Sequence, residues 1–248
     1  MLNEPTLEKL KILHLDGLLA AWTEQQKNSE LGSLAFDERL GMLIDAEWIH
    51  RENKRIKRLL TEAKLRLSEA CIEGIDFPAR RELDRALIRQ LQTCRWIHEH
   101  QAVLVTGATG TGKSYIACAL AHHACRRGLR AIYRRASRLF DELKIARADG
   151  TYRNLLARFA RVDVLVIDDF AVAPINDQER SDLLEVMEDR YGLRSTIVTS
   201  QLPPNHWHDY LADPTLADAI CDRLVNNAHR VMLKGPSRRK DKQTNQEP

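Results

Sequence analysis

The amino-acid sequence predicts an α/β fold built on a parallel sheet. A phosphate-loop consensus at 107–114 follows one apolar run and precedes a helical segment. A second apolar run at 164–167 is uninterrupted, as expected for a strand buried on both faces, and ends in two acidic residues. Apolar runs and helical patterns alternate through the rest of this half. Strand–helix alternation of this kind predicts a parallel sheet with helices on both faces.

The first of these features, at 107–114, fits G-x-x-x-x-G-K-[ST] without a mismatch. Its glycines allow successive backbone N–H groups to turn inward around an anion, and the helix that follows adds its positive dipole end. Lys113 is expected to reach the β- and γ-phosphates, and Ser114 to ligate Mg²⁺. The predicted ATP contacts here are Gly107, Ala108, Thr109, Gly110, Thr111, Gly112, Lys113, Ser114 and Tyr115.

Five apolar runs predict the strands, at 103–105, 131–133, 164–167, 196–199 and 231–233. Helical spacing between them predicts helices over 137–146, 178–191 and 215–227, in addition to the helix after the phosphate loop. No segment between the motifs is long enough for a large lid.

The acidic pair Asp168 and Asp169 is predicted at the carboxyl end of a sheet strand, where sheets of this class bind ligands. Asp168 is the expected Mg²⁺-side carboxylate, and Asp169 is the candidate that orients the attacking water. The next strand ends in Thr199, Ser200 and Gln201, whose polar side chains are expected beside the γ-phosphate.

Arg223 is a candidate arginine finger. It borders the apolar stripe of the helix over 215–227, and no carboxylate lies three or four residues away on that helix. An arginine without an intrahelical partner could reach the nucleotide of a neighbouring subunit.

The region before the phosphate loop predicts a helical domain over 1–70, because its apolar spacing is helical and not alternating, and this domain is expected to serve DNA binding and oligomerisation. Gly74 to Pro78 breaks that pattern, so 71–98 is predicted as a linker, 99–236 as the ATPase domain and 237–248 as a flexible basic tail. Seven Lys or Arg against two Glu over 51–66 give this stretch a net charge of +5, suited to a DNA backbone. The DNA contacts predicted from the basic clusters are Arg51, Lys54, Arg55, Lys57, Arg58, Arg134 and Arg135.

Composition excludes several classes of protein. The 248 residues carry a net charge of +3, and no apolar run approaches the roughly 20 residues that span a bilayer. No secretory signal is recognised, and the five cysteines form no C-x-x-C pair, so a reducing cytoplasm is expected. The histidines never fall into a set with metal-ligand spacing, which argues against zinc.

Taken together, the motifs resemble the AAA+ ATPases, and specifically the IstB family of ATP-binding helpers of insertion-sequence transposition. The resemblance covers the phosphate loop, the acidic pair, the Thr-Ser-Gln-Leu-Pro stretch at 199–203 and Asp-Arg-Leu at 222–224. It also includes 36–41 and 47–53 in the N-terminal region and Gly-Pro-Ser-Arg-Arg at 235–239. The DnaC helicase loader looks similar in its ATPase half only.

The resemblance implies a bacterial, nucleoid-associated ATPase that uses ATP and Mg²⁺ and oligomerises as a ring or spiral on double-stranded DNA. It also implies that the protein selects target DNA and hands the site to a transposase. It assigns the arginine-finger role to Arg223 and nucleotide sensing to Arg239. Many AAA+ proteins have Asp-Glu where this chain has Asp168-Asp169, so the shorter side chain suggests slow hydrolysis, and Glu185 stays open as a substitute.

Three other functions remain open on the sequence. A replicative helicase loader shares the ATPase half and differs in its N-terminal partner. A small-molecule phosphotransferase would need a substrate pocket or lid insertion. A DNA-binding protein could hold ATP as a structural ligand only, which phosphate release with and without duplex DNA would test.

Overall fold

The computed structural model of the chain describes residues 4–28, 31 and 33–238. The chain divides into two compact units, one ending at Arg58 and the other beginning at Leu59.

The described residues of the N-terminal unit form three helices: α1 (Glu4–Ile12), α2 (Asp16–Lys27) and the first part of α3 (Phe36–Ala63). Among the described residues of this unit only Gly17 and Glu47 are buried. A Cβ on Gly17 would lie 2.5 Å from the His50 Cβ, so glycine lets α2 approach α3 closely. Glu47 accepts a hydrogen bond from the Leu18 N–H at 3.0 Å, which ties the two helices together.

The second unit contains a five-stranded sheet in the order β2-β3-β4-β1-β5, and each pair of neighbouring strands is parallel. This confirms the predicted five-stranded parallel sheet. The strands are β1 (Ala102–Gly107), β2 (Ala131–Arg135), β3 (Val164–Phe170), β4 (Ser195–Ser200) and β5 (Ala228–Leu233).

Helices cover both faces of this sheet, since alternate strand residues point to opposite sides. On one face Val103, Val105 and Val166 share a core with the helix that follows β1, over Lys113–Arg126, and on the other Leu104 and Leu165 share a core with the helices that follow β2. The helices are α4 (Arg85–Gln92), α5 (Arg95–His98), α6 (Lys113–Arg126), α7 (Ala136–Asp149), α8 (Tyr152–Arg161), α9 (Asp177–Glu188), α10 (Trp207–Leu211) and α11 (Pro214–Val225).

The segment predicted as a linker, 71–98, packs as part of the ATPase unit. Ile72, Ile88, Leu91 and Trp96 are all buried in the same core as α6. The break at Gly74 to Pro78 was the basis for the linker prediction, but a turn interrupts helical periodicity without separating domains. The division at Arg58 also falls before the predicted boundary at 70, because Leu59 and Ala63, the last buried residues of α3, belong to the core of the second unit.

No helix among the described residues is both long and apolar enough to cross a membrane.

Candidate nucleotide-binding site

The phosphate loop connects β1 to α6 at the carboxyl edge of the sheet. Lys113 is the first residue of α6 and is buried, and its ammonium donates to the carbonyls of Gly107 at 2.8 Å and Ala108 at 2.9 Å. Thr111 is also buried, and its hydroxyl donates to the Ala108 carbonyl at 2.8 Å. These bonds place a cation and the amino end of a 14-residue helix at one point, which suits a polyphosphate.

Two glycines of the loop allow close approach by other segments. Gly110 has φ +82°, and a Cβ there would overlap the Ser237 side chain at 2.0 Å. Gly112 has φ +98°, and its Cβ would lie 2.7 Å from Nη2 of Arg81. Any side chain at either position would therefore be strained and would also collide with a neighbour.

Arg81 is a site residue that the sequence reasoning missed. It is 3% exposed, and its Nη1 donates at 2.9 Å to both the carbonyl and a carboxylate oxygen of Asp76. Within the described residues, its Nε and Nη2 have no hydrogen-bond partner. Burial lowers the pKa of Arg81. A buried guanidinium with free donors next to the loop suits a nucleotide contact, and the only sequence signal was an arginine pair beside a turn.

Asp168 lies at the centre of a buried polar cluster and is completely inaccessible to solvent. Its Oδ1 accepts from Ser114 at 2.9 Å and from Thr199 at 2.5 Å, and its Oδ2 accepts from the Tyr133 hydroxyl at 2.5 Å. Burial, together with the bond to Asp168, raises the pKa of Tyr133, so the phenol remains a donor. The Ser114 and Asp168 oxygens form the hard donor set that suits Mg²⁺. The hydrogen bonds from Thr199 and Tyr133 fix the orientation of the Asp168 carboxylate.

Asp169 differs from Asp168 in backbone and surroundings. Its φ is +58°, and the β3–β4 register shifts between Ile167 and Phe170, so the acidic pair forms an irregularity in the strand. Such bulges re-aim side chains next to active sites. Arg135 donates to Oδ2 of Asp169 at 2.8 Å, and Arg66 lies 3.5 Å from the same oxygen. Arg66 is also 3.6 Å from Asp168.

The remaining predicted nucleotide contacts fall around the loop. The Thr109 hydroxyl donates to Gln201 at 2.7 Å, so Gln201 reaches the phosphate loop directly. Ser200 is buried and donates to the Phe170 carbonyl at 2.9 Å. Tyr115 directs its hydroxyl to the Cys71 carbonyl at 3.4 Å, and burial raises its pKa. Arg239 lies outside the described residues, but the N–H of the preceding Arg238 donates to the Gly110 carbonyl at 3.0 Å.

Arg223 has a partner that its own helix could not reveal. Its Nη2 donates to Glu188, at the end of α9, at 2.7 Å, and its Nη1 donates to the Ala219 carbonyl at 2.8 Å. Arg223 has no carboxylate partner on its own helix, as predicted, but it is paired with one from a neighbouring helix. Arg223 also precedes the amino end of β5, and Ala228 at that end pairs with Ala102. A strand length of roughly 20 Å separates it from the phosphate loop of its own chain.

Glu185, the possible substitute for Asp169, is engaged elsewhere. Its Oε2 accepts from the Tyr152 hydroxyl at 2.6 Å and lies 3.6 Å from Arg147. These partners belong to α7 and α8, which argues against a role for Glu185 at the phosphates.

The predicted DNA contacts separate into two groups. Arg134 is buried and its Nε lies 2.8 Å from Glu142, so it does not offer a surface for a phosphate backbone. Arg135 is the partner of Asp169. The others, Arg51, Lys54, Arg55, Lys57 and Arg58, are exposed on α3.

The exposed group also has acidic neighbours. Arg51 donates to Glu47 at 2.6 Å, and Arg55 lies 3.5 Å from Glu52. The net charge of +5 was counted over residues 51–66. Glu47 lies four residues before Arg51 on the same helix and was therefore not included in that count.

A phosphate loop after β1, an acidic pair at the end of β3 and a strand β4 between them define a P-loop ATPase of the AAA+ type. The profile of the IstB-like ATP-binding proteins matches residues 8–246. The chain therefore belongs to the IstB-like ATP-binding family of bacterial insertion sequences.

The sequences of related proteins match this chain over nearly its whole length. An insertion-sequence ATP-binding protein of Sinorhizobium fredii is 46% identical over 241 residues, covering 97% of this chain and 98% of its own. One from Mycobacterium tuberculosis is 33% identical over 241 residues, covering 95% and 94% respectively. Among solved structures, the DnaC helicase loader matches with a TM-score of 0.55 at 18% identity, covering 66% of this chain and 97% of DnaC. DnaA from Aquifex aeolicus matches with a TM-score of 0.58 at 18% identity, covering 73% of this chain and 57% of the DnaA chain. At such identities the two structures establish the fold only.

Proposed function

We propose that this protein is a DNA-stimulated ATPase that oligomerises on target DNA and recruits or activates a partner transposase. The observation that carries the proposal is the cluster of Lys113, Ser114 and Asp168 at one sheet edge, in a chain of the insertion-sequence ATP-binding family. The names of the relatives support a role in transposition. The finer steps are inferred from the geometry of the site.

For ATP binding, Lys113 would exchange its carbonyl partners for phosphate oxygens, and the loop N–H groups would surround the phosphates. Mg²⁺, held by Ser114 and Asp168, would neutralise charge on the β- and γ-phosphates when bound. Gln201, bonded to Thr109 in the loop, is positioned to sense the γ-phosphate. Arg81 would supply the free donors of its guanidinium to the nucleotide.

Hydrolysis is inferred to depend on releasing Asp169. The Asp169 oxygen that accepts from Arg135 at 2.8 Å and faces Arg66 is already engaged, so it would have to be released before it could orient the attacking water. Arg66 follows α3, the helix that carries the exposed basic residues, by three positions. DNA binding along that helix could therefore be coupled to Asp169 through the chain itself.

Arg223 is proposed to complete the site of a neighbouring subunit. Its distance from its own phosphate loop supports action in trans. The bond to Glu188 would then have to open when subunits assemble, and its loss would contribute to the control of turnover.

Measuring phosphate release with and without duplex DNA tests the proposal. We expect a slow basal rate that rises on adding DNA of unrelated sequences. Turnover unaffected by DNA at saturating concentrations would leave an ATP-binding protein whose nucleotide is not coupled to DNA.

Replicative helicase loading is the second candidate, because DnaC shares the fold of the ATPase unit. The two functions differ in the partner. Pull-down of the transposase encoded in the same insertion sequence, compared with pull-down of the host helicase, separates them.

A further inference from the structure

The last described residues, 234–238, follow β5 and lie against the phosphate loop. The Lys234 N–H donates to the Arg81 carbonyl at 3.1 Å, and the Arg238 N–H donates to the Gly110 carbonyl at 3.0 Å. A hydrogen bond at each end therefore holds this segment, which we call the strap, to the residues before α4 and to the phosphate loop.

Asp76 joins two arginines beside the strap. Its Oδ1 accepts from Nη1 of Arg81 at 2.9 Å, and its Oδ2 accepts from Nη2 of Arg238 at 2.5 Å. Nη1 of Arg238 is a second donor to the same carboxylate, so the pair with Arg238 is bidentate. Two guanidinium groups therefore share one carboxylate, and the cluster has an excess of positive charge.

The two arginines differ in how firmly they are held. The Arg81 side chain is 4% exposed, and its Nη1 also donates to the backbone carbonyl of Asp76 at 2.9 Å. The Arg238 side chain is 43% exposed, and it is bonded to a carboxylate that is itself 47% exposed. Arg81 therefore keeps a partner if the carboxylate is removed, whereas Arg238 can turn from the carboxylate to another anion.

Arg81 has hydrogen-bond donors that the cluster leaves unused. Among the described residues its Nε and Nη2 have no hydrogen-bond partner, although buried donors are nearly always paired. Burial, and next the charge of Arg238, lower the pKa of Arg81. Nη2 lies against Gly112 at the amino end of α6, where a polyphosphate on the loop would supply acceptors.

The cavity that Arg81 and Arg238 line together with Thr111 of the phosphate loop has a volume of about 10 Å³. That volume is room for a single water molecule. A phosphate group can therefore reach both guanidinium groups from this side only after Arg238 has left Asp76.

We propose that Asp76 competes with the nucleotide phosphates for Arg238, pairing with this arginine in the absence of nucleotide and releasing it to the phosphates when ATP binds. The proposal rests on ATP binding at the phosphate loop, and it adds a residue that sets the affinity. Asp76 weakens ATP binding in two ways: it occupies the more mobile of the two cations, and its own charge repels the phosphates. Weaker binding in turn favours the exchange of one nucleotide for the next.

Titration of the full chain with ATP, without DNA, tests this competition. Asp76→Asn keeps oxygen acceptors for Arg81 but removes the charge that holds Arg238. It should bind ATP about fivefold more tightly, the factor that a partly exposed ion pair is typically worth. Glu82→Gln is the matched control, since it removes one negative charge from the same segment, where Glu82 pairs with Lys234 of the strap at 2.8 Å. It should change the affinity by less than about twofold.

Arg238→Gln identifies the cation that Asp76 withholds. Alone, this substitution should weaken ATP binding a few-fold, because the phosphates lose the arginine that they recruit. When Arg238→Gln is already present, Asp76→Asn should lose most of its effect on the affinity, because no guanidinium remains to be released.

Thermal unfolding followed by circular dichroism checks that the variants fold, and Arg238→Gln keeps the proposal testable if Asp76→Asn does not. An ion pair that is only structural would lower the melting temperature in both variants without changing the ATP affinity. That result, weaker ATP binding by Asp76→Asn, or an equal gain with and without Arg238 would overturn the proposal. A wild-type chain that binds no ATP would instead refute the proposed function, so the two failures are distinguishable.

Discussion

The two units of this chain bury their residues very differently. The unit from Leu59 contains two apolar cores on opposite sides of one sheet, and even its charged residues Asp168 and Arg190 are buried with hydrogen-bond partners. The described part of the unit before it buries only Gly17 and Glu47 and leaves Trp48 exposed. The ATPase unit therefore contains its own stabilising core, whereas nearly all described residues of the helical unit are at least partly exposed to solvent.

The largest expected effect is a loss of ATP hydrolysis that leaves DNA binding almost unchanged. Lys113→Ala should abolish measurable ATP hydrolysis, because the phosphates lose the principal cation of the loop. Duplex DNA affinity in the absence of ATP should stay within about twofold of wild type, as Lys113 is remote in sequence from the exposed cations of α3. Nucleotide titration and phosphate release measure the first effect. Unchanged turnover would contradict the assignment of the loop.

Arg223→Ala should reduce hydrolysis by on the order of 10³-fold while ATP still binds, since an arginine finger acts mainly on the transition state. Mixing it with Lys113→Ala should restore part of the activity, because some mixed interfaces join an intact Arg223 to an intact loop. Glu188→Gln removes the ion pair but keeps Arg223, so this variant should hydrolyse ATP at least as fast as the wild type. If the two mutants co-assemble but recover no ATP hydrolysis, the role of Arg223 is structural and consists of its ion pair with Glu188.

Arg190→Met should destabilise the ATPase unit by about 3 kcal/mol, because the loss leaves buried acceptors without donors. Arg190 is 1% exposed and donates to the carbonyls of Phe159, Val162 and Ser195 and to the Thr196 hydroxyl. Urea unfolding measures the change. The exposed Arg153→Met is the control and should lie within about 0.5 kcal/mol of wild type.

Neutralising Lys54, Arg55 and Arg58 together should weaken binding to all DNA sequences alike. The slope of log affinity against log salt should fall by about 0.9 for each phosphate contact that is lost. Arg134→Gln is a poor control because Arg134 is buried, so Arg153→Gln on the exposed surface of α8 serves instead. Loss of affinity for one sequence only would indicate base recognition.

The smallest effect concerns the switch at Asp169. Arg135→Ala should raise basal hydrolysis by a few-fold and reduce the further stimulation by DNA, because Asp169 loses its closest cation. Steady-state hydrolysis rates are measured with and without DNA. Saturating ATP is used so that a change in ATP affinity does not alter these rates. A lower basal rate with unchanged stimulation would show that Arg135 supports catalysis and does not restrain it.

The sequence by itself determined the five-stranded sheet, the phosphate loop and the position of the acidic pair. These features depend on local patterns: strand periodicity, helix starts and a glycine motif whose backbone angles are required by its function. The family resemblance likewise followed from motifs that are contiguous in the chain.

Only the tertiary structure decided which charged residues are paired. Glu188 reaches Arg223 across 35 positions, Arg66 and Arg135 converge on Asp169, and Arg81 lies buried against Gly112. It also assigned 71–98 to the ATPase core, where a turn had resembled a linker. The physical reason is that side-chain pairing and burial depend on which distant segments meet, and sequence periodicity reports only on neighbours within one element.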